Sequence, residues 1–208
     1  MSNSENALRV GIFRGRFAPI HRAQVAAAKA FMEQMKLDFL FVVPAYIANA
    51  EPSDSALYRL RMCELAFEGV DGVVISDTEI KGEGKIGLRE LLLELRRPET
   101  RLFLLCGTDE VLSFDKNEGF EEILSLCYPT YVRRENDAII SERIIAKISG
   151  FYKQYGVMFR RIVTDPIVLS SSQIRRSAAE GVNLSGMVGD SVARFIRENG
   201  LYKEGGVL

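Results

Sequence analysis

Three short polar segments of the sequence carry residue types that bind phosphate groups. They are residues 14–24, 107–109 and 170–175, and together they hold glycines, arginines, serines and the single histidine of the chain. Glycine lets a ligand approach the backbone closely, arginine forks onto phosphate oxygens, and free N–H groups at a helix start attract anions. The segments therefore predict an anion-binding site built from separate parts of the chain.

The first of these segments joins a strand to a helix. An apolar run at residues 7–13 is typical of a buried strand, and it is broken by Arg14, Gly15 and Arg16. A helical pattern then begins near Pro19, whose fixed φ suits a first helical turn. Because the helix dipole is positive at this end, the two arginines and the helix start indicate a binding site for nucleotide phosphates. The turn matches neither a Walker A loop nor the dinucleotide fingerprint, which disfavours a P-loop ATPase and a standard dehydrogenase.

Strands and helices alternate along the chain. The apolar and periodic segments predict strands at residues 7–13, 37–43, 70–76, 101–106, 128–132 and 159–164, and helices at 22–35, 56–67, 88–97, 120–126, 141–155, from 170 onward, and at 188–199. This alternation predicts an α/β fold, a Rossmann-like doubly wound parallel sheet in a single domain over residues 1–208. Ligands of such sheets bind beyond the carboxyl ends of the strands, where all three polar segments fall.

The composition restricts the partners. The 208 residues are 47% hydrophobic and 26% charged, with a formal net charge of −1, so no overall positive field favours nucleic acid or a membrane surface. No apolar run approaches the ~18 residues of a membrane span, and the first residues lack the pattern of a signal peptide. We expect a cytoplasmic protein that binds small-molecule nucleotides, and a homo-oligomer is compatible with the sequence.

The residues available as metal ligands are few. Cys63, Cys106 and Cys127 lie in apolar contexts without C-x-x-C spacing, so we expect reduced, buried thiols. A single histidine disfavours a zinc site. We therefore predict no metal site made of protein ligands alone.

Two sequence motifs carry a resemblance to a known family. Gly11, Phe13, Phe17, Pro19 and His21 match in register the G-x-F-x-x-x-F-x-P-x-H-x-G-H signature of the HxGH-type nucleotidyltransferases. Residues 169–175, Leu-Ser-Ser-Ser-Gln-Ile-Arg, resemble the second motif of that family. Within it, the chain is most similar to the bacterial nicotinate mononucleotide adenylyltransferases, with further matches in order at residues 43–45, 58–62, 76–81, 107–109 and 195–202.

The resemblance implies a reaction and a set of site residues. AMP would pass from ATP to nicotinate mononucleotide or a related phosphorylated acceptor with release of pyrophosphate, in NAD biosynthesis, and Mg²⁺ would arrive mainly with the triphosphate. The resemblance implies that His21 contacts the triphosphate and that Asp109 suits ribose hydroxyls. The candidates for catalysis are His21, Gln24 and Arg175, and those for binding ATP and its phosphates are Phe13, Arg14, Gly15, Arg16, Gly107, Asp109, Ser170, Ser171, Ser172 and Arg175.

The first motif departs from the family at its end. Gln24 stands in place of the second histidine and Ala23 in place of the glycine, and no lysine occurs between Lys36 and Lys81, where the family has one. A hydrogen bond to a charged group contributes about 1.5–3 kcal/mol against about 0.5–1.5 kcal/mol for a neutral pair. We therefore expect slow turnover, unless Arg14 or Arg16 supplies the missing charge.

The acceptor side leaves alternatives open. Residues 84–87 replace the Tyr-Thr pair of the family, and the chain has no tryptophan. Lys85 and Phe114 are the candidates for binding the acceptor, although an aromatic such as Phe114 is also typical of a core. The alternative role for Ser170, and for Asp109, is that of a helix cap. The alternatives are thus a degenerate member that binds nucleotide with little or no catalysis, or an enzyme with a different acceptor.

Overall fold

Six parallel strands form one sheet at the centre of the protein. A computed structural model describes residues 7–50, 55–133, 138–165 and 167–203. The strand order is β3-β2-β1-β4-β5-β6, and every neighbouring pair is parallel. The strands are β1 (Leu8–Gly15), β2 (Phe39–Pro44), β3 (Val73–Ile75), β4 (Thr100–Cys106), β5 (Tyr128–Val132) and β6 (Arg160–Ile162). From β1 the chain adds β2 and β3 on one side of the sheet, and β4, β5 and β6 on the other. The switch point therefore lies between β1 and β4, and ligands of doubly wound sheets bind at such a point.

Helices cover both faces of the sheet. They are α1 (Arg22–Met35), α2 (Ala56–Ala66), α3 (Thr78–Lys81), α4 (Leu88–Leu95), α5 (Thr108–Leu112), α6 (Phe120–Leu126), α7 (Ala138–Tyr155), α8 (Ser171–Ala179) and α9 (Asp190–Glu198). One buried cluster joins the sheet to α1, α2, α8 and α9, and a second joins its other face to α4, α5, α6 and α7. The predicted doubly wound α/β fold is therefore confirmed. In the described ranges, no helix is long and apolar enough to span a membrane.

The element boundaries agree with the sequence patterns where those patterns are strong. Helices α1 and α6 and strand β5 have the predicted bounds, and Gly200 follows α9 with a φ of 59°. The cap of α2 is Ser55, whose hydroxyl accepts from the N–H of Tyr58. The sequence also offers Ser53 and Asp54 as caps for this helix, and both lie outside the described residues. Strands β3 and β6 are shorter than expected. Helix α3 was not expected, and α5 was implied only by the cap considered for Asp109, because four or five residues carry no clear periodicity.

Gly11 allows β1 to pack closely under α1. A Cβ placed there would clash with the Leu37 side chain and lie 2.9 Å from Cε1 of Phe31. We expect Gly11→Ala to lower the free energy of unfolding by about 1–3 kcal/mol, the usual range for overpacking a core. Urea denaturation measures this loss. Gly150→Ala is the matched control, because Gly150 is an exposed position in α7 with nothing within 4 Å of its added Cβ; it should raise stability by about 0.5–1 kcal/mol.

Candidate nucleotide-binding site

A cleft of about 430 Å³ opens beyond the carboxyl ends of the central strands. It lies at the switch point between β1 and β4, and each of the three polar segments contributes to its wall. The sequence-predicted residues that line it are Phe13, Arg14, Gly15, Arg16, His21, Gln24, Gly107, Asp109, Ser170, Ser171, Ser172 and Arg175. The structure thus brings together parts of the chain that are more than 150 residues apart.

Hydrogen bonds hold the serine-rich helix start against the first turn. The Ser171 hydroxyl donates to the carbonyl of Pro19 at 3.0 Å, and Nη1 of Arg175 donates to the carbonyl of Ala18 at 2.7 Å. Nη2 of Arg175 also donates to the Ser172 hydroxyl at 3.1 Å. These bonds fix the relative position of the N-termini of α8 and α1, so that both face one cleft.

The start of α8 combines a cap with open donors. The Ser170 hydroxyl accepts from the N–H of Gln173 at 3.1 Å, so the capping role considered for Ser170 is confirmed. In the part of the chain that the structure describes, the N–H groups of Ser171 and Ser172 have no hydrogen-bond acceptor. Two open N–H groups at the positive end of a nine-residue helix form a site that favours an anion.

His21 and Gln24 lie together at the start of α1. His21 is the N-cap residue and is 1% exposed, at the bottom of the cleft. Oε1 of Gln24 accepts from the N–H of His21 at 3.2 Å. Because the amide oxygen is used in this way, the other end of the amide, Nε2, is the group that can donate into the cleft. Gln24 therefore offers a neutral donor where the resemblance implied a cationic one.

The two arginines of the first turn have different surroundings. Nε and Nη2 of Arg14 donate to the two carboxylate oxygens of Glu79 at 2.5 and 3.0 Å. Glu79 is buried, and it also accepts from the N–H of Tyr46 at 3.2 Å. Because Glu79 balances the charge of Arg14, Arg14 is poorly suited to replace the missing histidine. Arg16 is exposed at the rim of the cleft and is the better candidate.

A buried arginine that the motifs did not single out supports this turn. Arg59 lies in α2 and is fully buried, and its Nη1 donates to the carbonyls of Arg16 and Ala45 at 2.9 and 2.8 Å. The N–H of Ala45 in turn donates to the carbonyl of Gly15. Arg59 therefore fixes the loops that follow β1 and β2 relative to each other. Arg59 lies in segment 58–62, which resembles the family, but that resemblance gave no sign that its side chain is buried beneath the first turn.

The turn after β4 places a carboxylate on the cleft wall. Glu110 accepts from the N–H of Gly107 and so closes the start of α5. Asp109, considered above as a cap, is instead exposed on the cleft, and no donor among the described residues bonds its carboxylate. Thr164 and Asp165, which follow β6 and were not predicted, also line the cleft. Their position at a strand end is the only sequence signal that indicated them.

The two predicted acceptor-binding residues lie away from the cleft wall. Phe114 is 1% exposed and packs edge-on against Phe151 and Phe159, with ring centroids 5.8 and 5.4 Å away. This placement corrects the prediction that Phe114 stacks on the acceptor, because neither face of its ring reaches the cleft. Lys85 is exposed in the turn between α3 and α4 and does not line the cleft.

The cysteines are suited to packing rather than chemistry. All three are buried and free of disulfides, as the sequence predicted. Burial raises the pKa of the Cys127 thiol to about 12, and it raises the pKa of Cys63 and of Cys106 well above their ordinary value. These thiols stay protonated near neutral pH and are poor nucleophiles. Across the described ranges, no group of three or more His, Cys, Asp or Glu residues could hold a metal ion.

Comparison with known proteins identifies the family. Residues 12–177 match the Cytidylyltransferase-like family. A Gemmatimonas aurantiaca protein named "Probable nicotinate-nucleotide adenylyltransferase" is 30% identical over 201 residues, covering 95% of this chain and 93% of the relative. A Thermoanaerobacter protein of the same name is 28% identical, covering 96% and 97%. This chain therefore belongs to the cytidylyltransferase-like family of nucleotidyltransferases.

Solved structures share the architecture. The nicotinic acid mononucleotide adenylyltransferase of Plasmodium falciparum, complexed with NaAD, superimposes with a TM-score of 0.73 at 15% identity and covers 94% of this chain and 97% of its own. The same enzyme complexed with APC gives a TM-score of 0.72 at 14% identity with the same coverage. At this level of identity the likeness confirms the Rossmann-like fold.

Proposed function

We propose that this protein is an adenylyltransferase that transfers AMP from ATP to nicotinate mononucleotide and releases pyrophosphate, a step of NAD biosynthesis. The single observation that carries the proposal is the joint placement of His21 and the N-terminus of α8 on one cleft, fixed by the bonds of Ser171 and Arg175 to the first turn. The names of the relatives above support the same activity.

The reaction needs alignment and positive charge more than covalent help. An oxygen of the acceptor phosphate attacks the α-phosphorus of ATP, and the bond from that phosphorus to the bridging oxygen breaks as pyrophosphate leaves. We assign the β- and γ-phosphates to the open N–H groups of α8 and to Arg175. His21 and Nε2 of Gln24 then donate to the oxygens on which charge builds, and such preorganised donors stabilise the transition state.

The residues of the cleft also fit a magnesium ion that is carried by the nucleotide. Mg²⁺ prefers phosphate oxygens and water, with one or two carboxylates from the protein. Asp109 and Asp165 are carboxylates on the cleft wall and would be the protein's contribution. The bound ion would offset the charge of the phosphate oxygens.

A second candidate function is nucleotide binding without useful turnover. It is favoured by one observation, the neutral amide of Gln24 in place of an imidazole, with its oxygen committed to the N–H of His21. Pyrophosphate release from ATP, Mg²⁺ and nicotinate mononucleotide separates the two candidates. Thermal stabilisation by ATP alone, without turnover, would support the second.

Replacing Gln24 tests its position directly. We expect Gln24→His to raise kcat about tenfold, because a charge-assisted hydrogen bond exceeds a neutral one by roughly 1–1.5 kcal/mol, and about 1.4 kcal/mol corresponds to a factor of ten. Pyrophosphate release under saturating substrates measures the change. Gln24→Glu is the control, since it keeps an oxygen for the N–H of His21 but adds negative charge, and it should fall below wild type. Equal turnover in all three proteins would place residue 24 away from the reacting phosphate.

A further inference from the structure

Arg14, Glu79 and Tyr46 form a cluster on one side of the cleft, which we call the Arg14 cluster. Side chains alternate between the two faces of a strand. Phe13 packs in the cluster of α1 and α8, whereas Ile12 packs in the cluster of α4 and α5. Arg14 has the same parity as Ile12, so the Arg14 cluster lies on the opposite side of the end of β1 from the serine-rich helix start.

We propose that Arg14 binds the phosphate of the acceptor mononucleotide and that Glu79 is the positioning residue that orients it. This inference rests on the proposed function and specifies the acceptor as a phosphate monoester held from the β2–β3 side of the cleft. The first motif leaves position 14 unspecified; Arg14 was a candidate for the phosphates of ATP, and this inference assigns it to the acceptor instead. Glu79 lies in the matching segment 76–81, to which no role was given.

The geometry holds the guanidinium in one orientation. Nε and Nη2 are both bonded to Glu79, whose side chain is 2% exposed and whose Oε2 also accepts from the N–H of Tyr46. The Arg14 side chain is 35% exposed and lines the cleft, and within the described ranges its Nη1 has no hydrogen-bond partner. One edge of the planar fork is therefore anchored and the other is available to an oxyanion. Because Glu79 balances the charge of Arg14, the selectivity for a phosphate monoester comes from the directed N–H groups of Arg14 rather than from net charge.

The chemistry of in-line displacement explains why this ligand is the acceptor. The attacking and leaving oxygens lie on opposite sides of the α-phosphorus. If pyrophosphate leaves toward α8 and Arg175, the attacking phosphate must approach from the other side, where Arg14 lies. One P–O bond forms, one breaks, and the electron pair leaves with pyrophosphate, so the step needs no oxidant and no proton transfer to Arg14.

Equilibrium binding tests the assignment without requiring turnover. Calorimetry would give Kd values for nicotinate mononucleotide, for the matching nucleoside without phosphate, and for ATP. The key variant is the double replacement Arg14→Met with Glu79→Gln, which leaves no buried unpaired charge and keeps an oxygen for the N–H of Tyr46. We expect the preference for mononucleotide over nucleoside to fall about tenfold to hundredfold, the range of a lost charge-assisted bond. Affinity for ATP should change by less than about twofold.

Two further variants separate positioning from general stability. Glu79→Gln alone should raise KM for the mononucleotide while leaving KM for ATP unchanged, whereas a purely structural defect would raise both. The matched control is Arg89→Met with Glu122→Gln. Nε of Arg89 lies 2.5 Å from Oε2 of Glu122, and neither residue lines the cleft. This control should leave both Kd values unchanged.

The outcomes distinguish failure of the inference from failure of the proposed function. A double variant that loses ATP affinity but keeps its phosphate preference would assign Arg14 to the triphosphate and overturn the inference. A wild type that binds the mononucleotide no better than the nucleoside would overturn the inference alone. A wild type that binds no mononucleotide would overturn both.

Discussion

Replacing Arg175 with alanine should lower kcat for pyrophosphate release by about 10²–10³, the cost of removing one preorganised donor from a developing oxyanion. The loss has two sources. The guanidinium supplies charge at the serine-rich helix start, and its bonds to the carbonyl of Ala18 and to the hydroxyl of Ser172 align that helix with the first turn. Steady-state kinetics with saturating ATP and nicotinate mononucleotide measure the effect.

Two variants show which part of Arg175 matters. Arg175→Lys keeps the charge but cannot form both bonds, so it should recover part of the lost rate if charge dominates. Arg176→Ala is the matched control, because Arg176 is the exposed neighbour in the same helix and does not line the cleft. It should leave kcat near the wild-type value. Equal losses in the Arg175 and Arg176 alanine variants would indicate a general defect of α8 and contradict the assignment.

The regular elements could be predicted because their patterns are local. The bounds of α1 and α6 follow from the spacing of apolar residues, and the position of the cleft follows from the general rule that ligands bind where parallel strands end. The same rule predicts from strand order alone that the segments at residues 107–109 and 170–175 lie at one edge of the sheet. Those parts of the site depend on chain order alone.

Other parts of the site depend on pairings that chain order does not reveal. Arg14 and Glu79 are 65 positions apart, and a glutamate within a short helix gives no sign that it is buried under an arginine. Phe114 was assigned a binding role that it does not have. It follows the end of β4, where an aromatic is suited to stack on a ligand, and the sequence does not show that its ring packs against Phe151 and Phe159. The departure at Gln24 is visible in the sequence, but the bond that commits its oxygen to the N–H of His21 is not.

Arg59 gives the largest expected effect on stability. We expect Arg59→Met to lower the free energy of unfolding by about 2–4 kcal/mol. The carbonyls of Arg16 and Ala45 would lose the donor they share, at about 1–3 kcal/mol for each buried group left unsatisfied, and relief from burying a guanidinium offsets part of that cost. Urea denaturation, with the slope compared to wild type, measures the loss.

The same substitution connects stability to the site. Because the backbone of Arg16 is held by Arg59, its loss should also loosen the first turn and lower kcat at temperatures where the variant is still folded. Arg61→Met is the matched control: Arg61 lies two residues further along α2, with its side chain 55% exposed and paired with Glu64. Exposed pairs of this kind contribute little. An Arg59 variant that unfolded at the same urea concentration as the Arg61 variant would show that the two loops are held by other contacts, and that the shape of the cleft does not depend on this buried arginine.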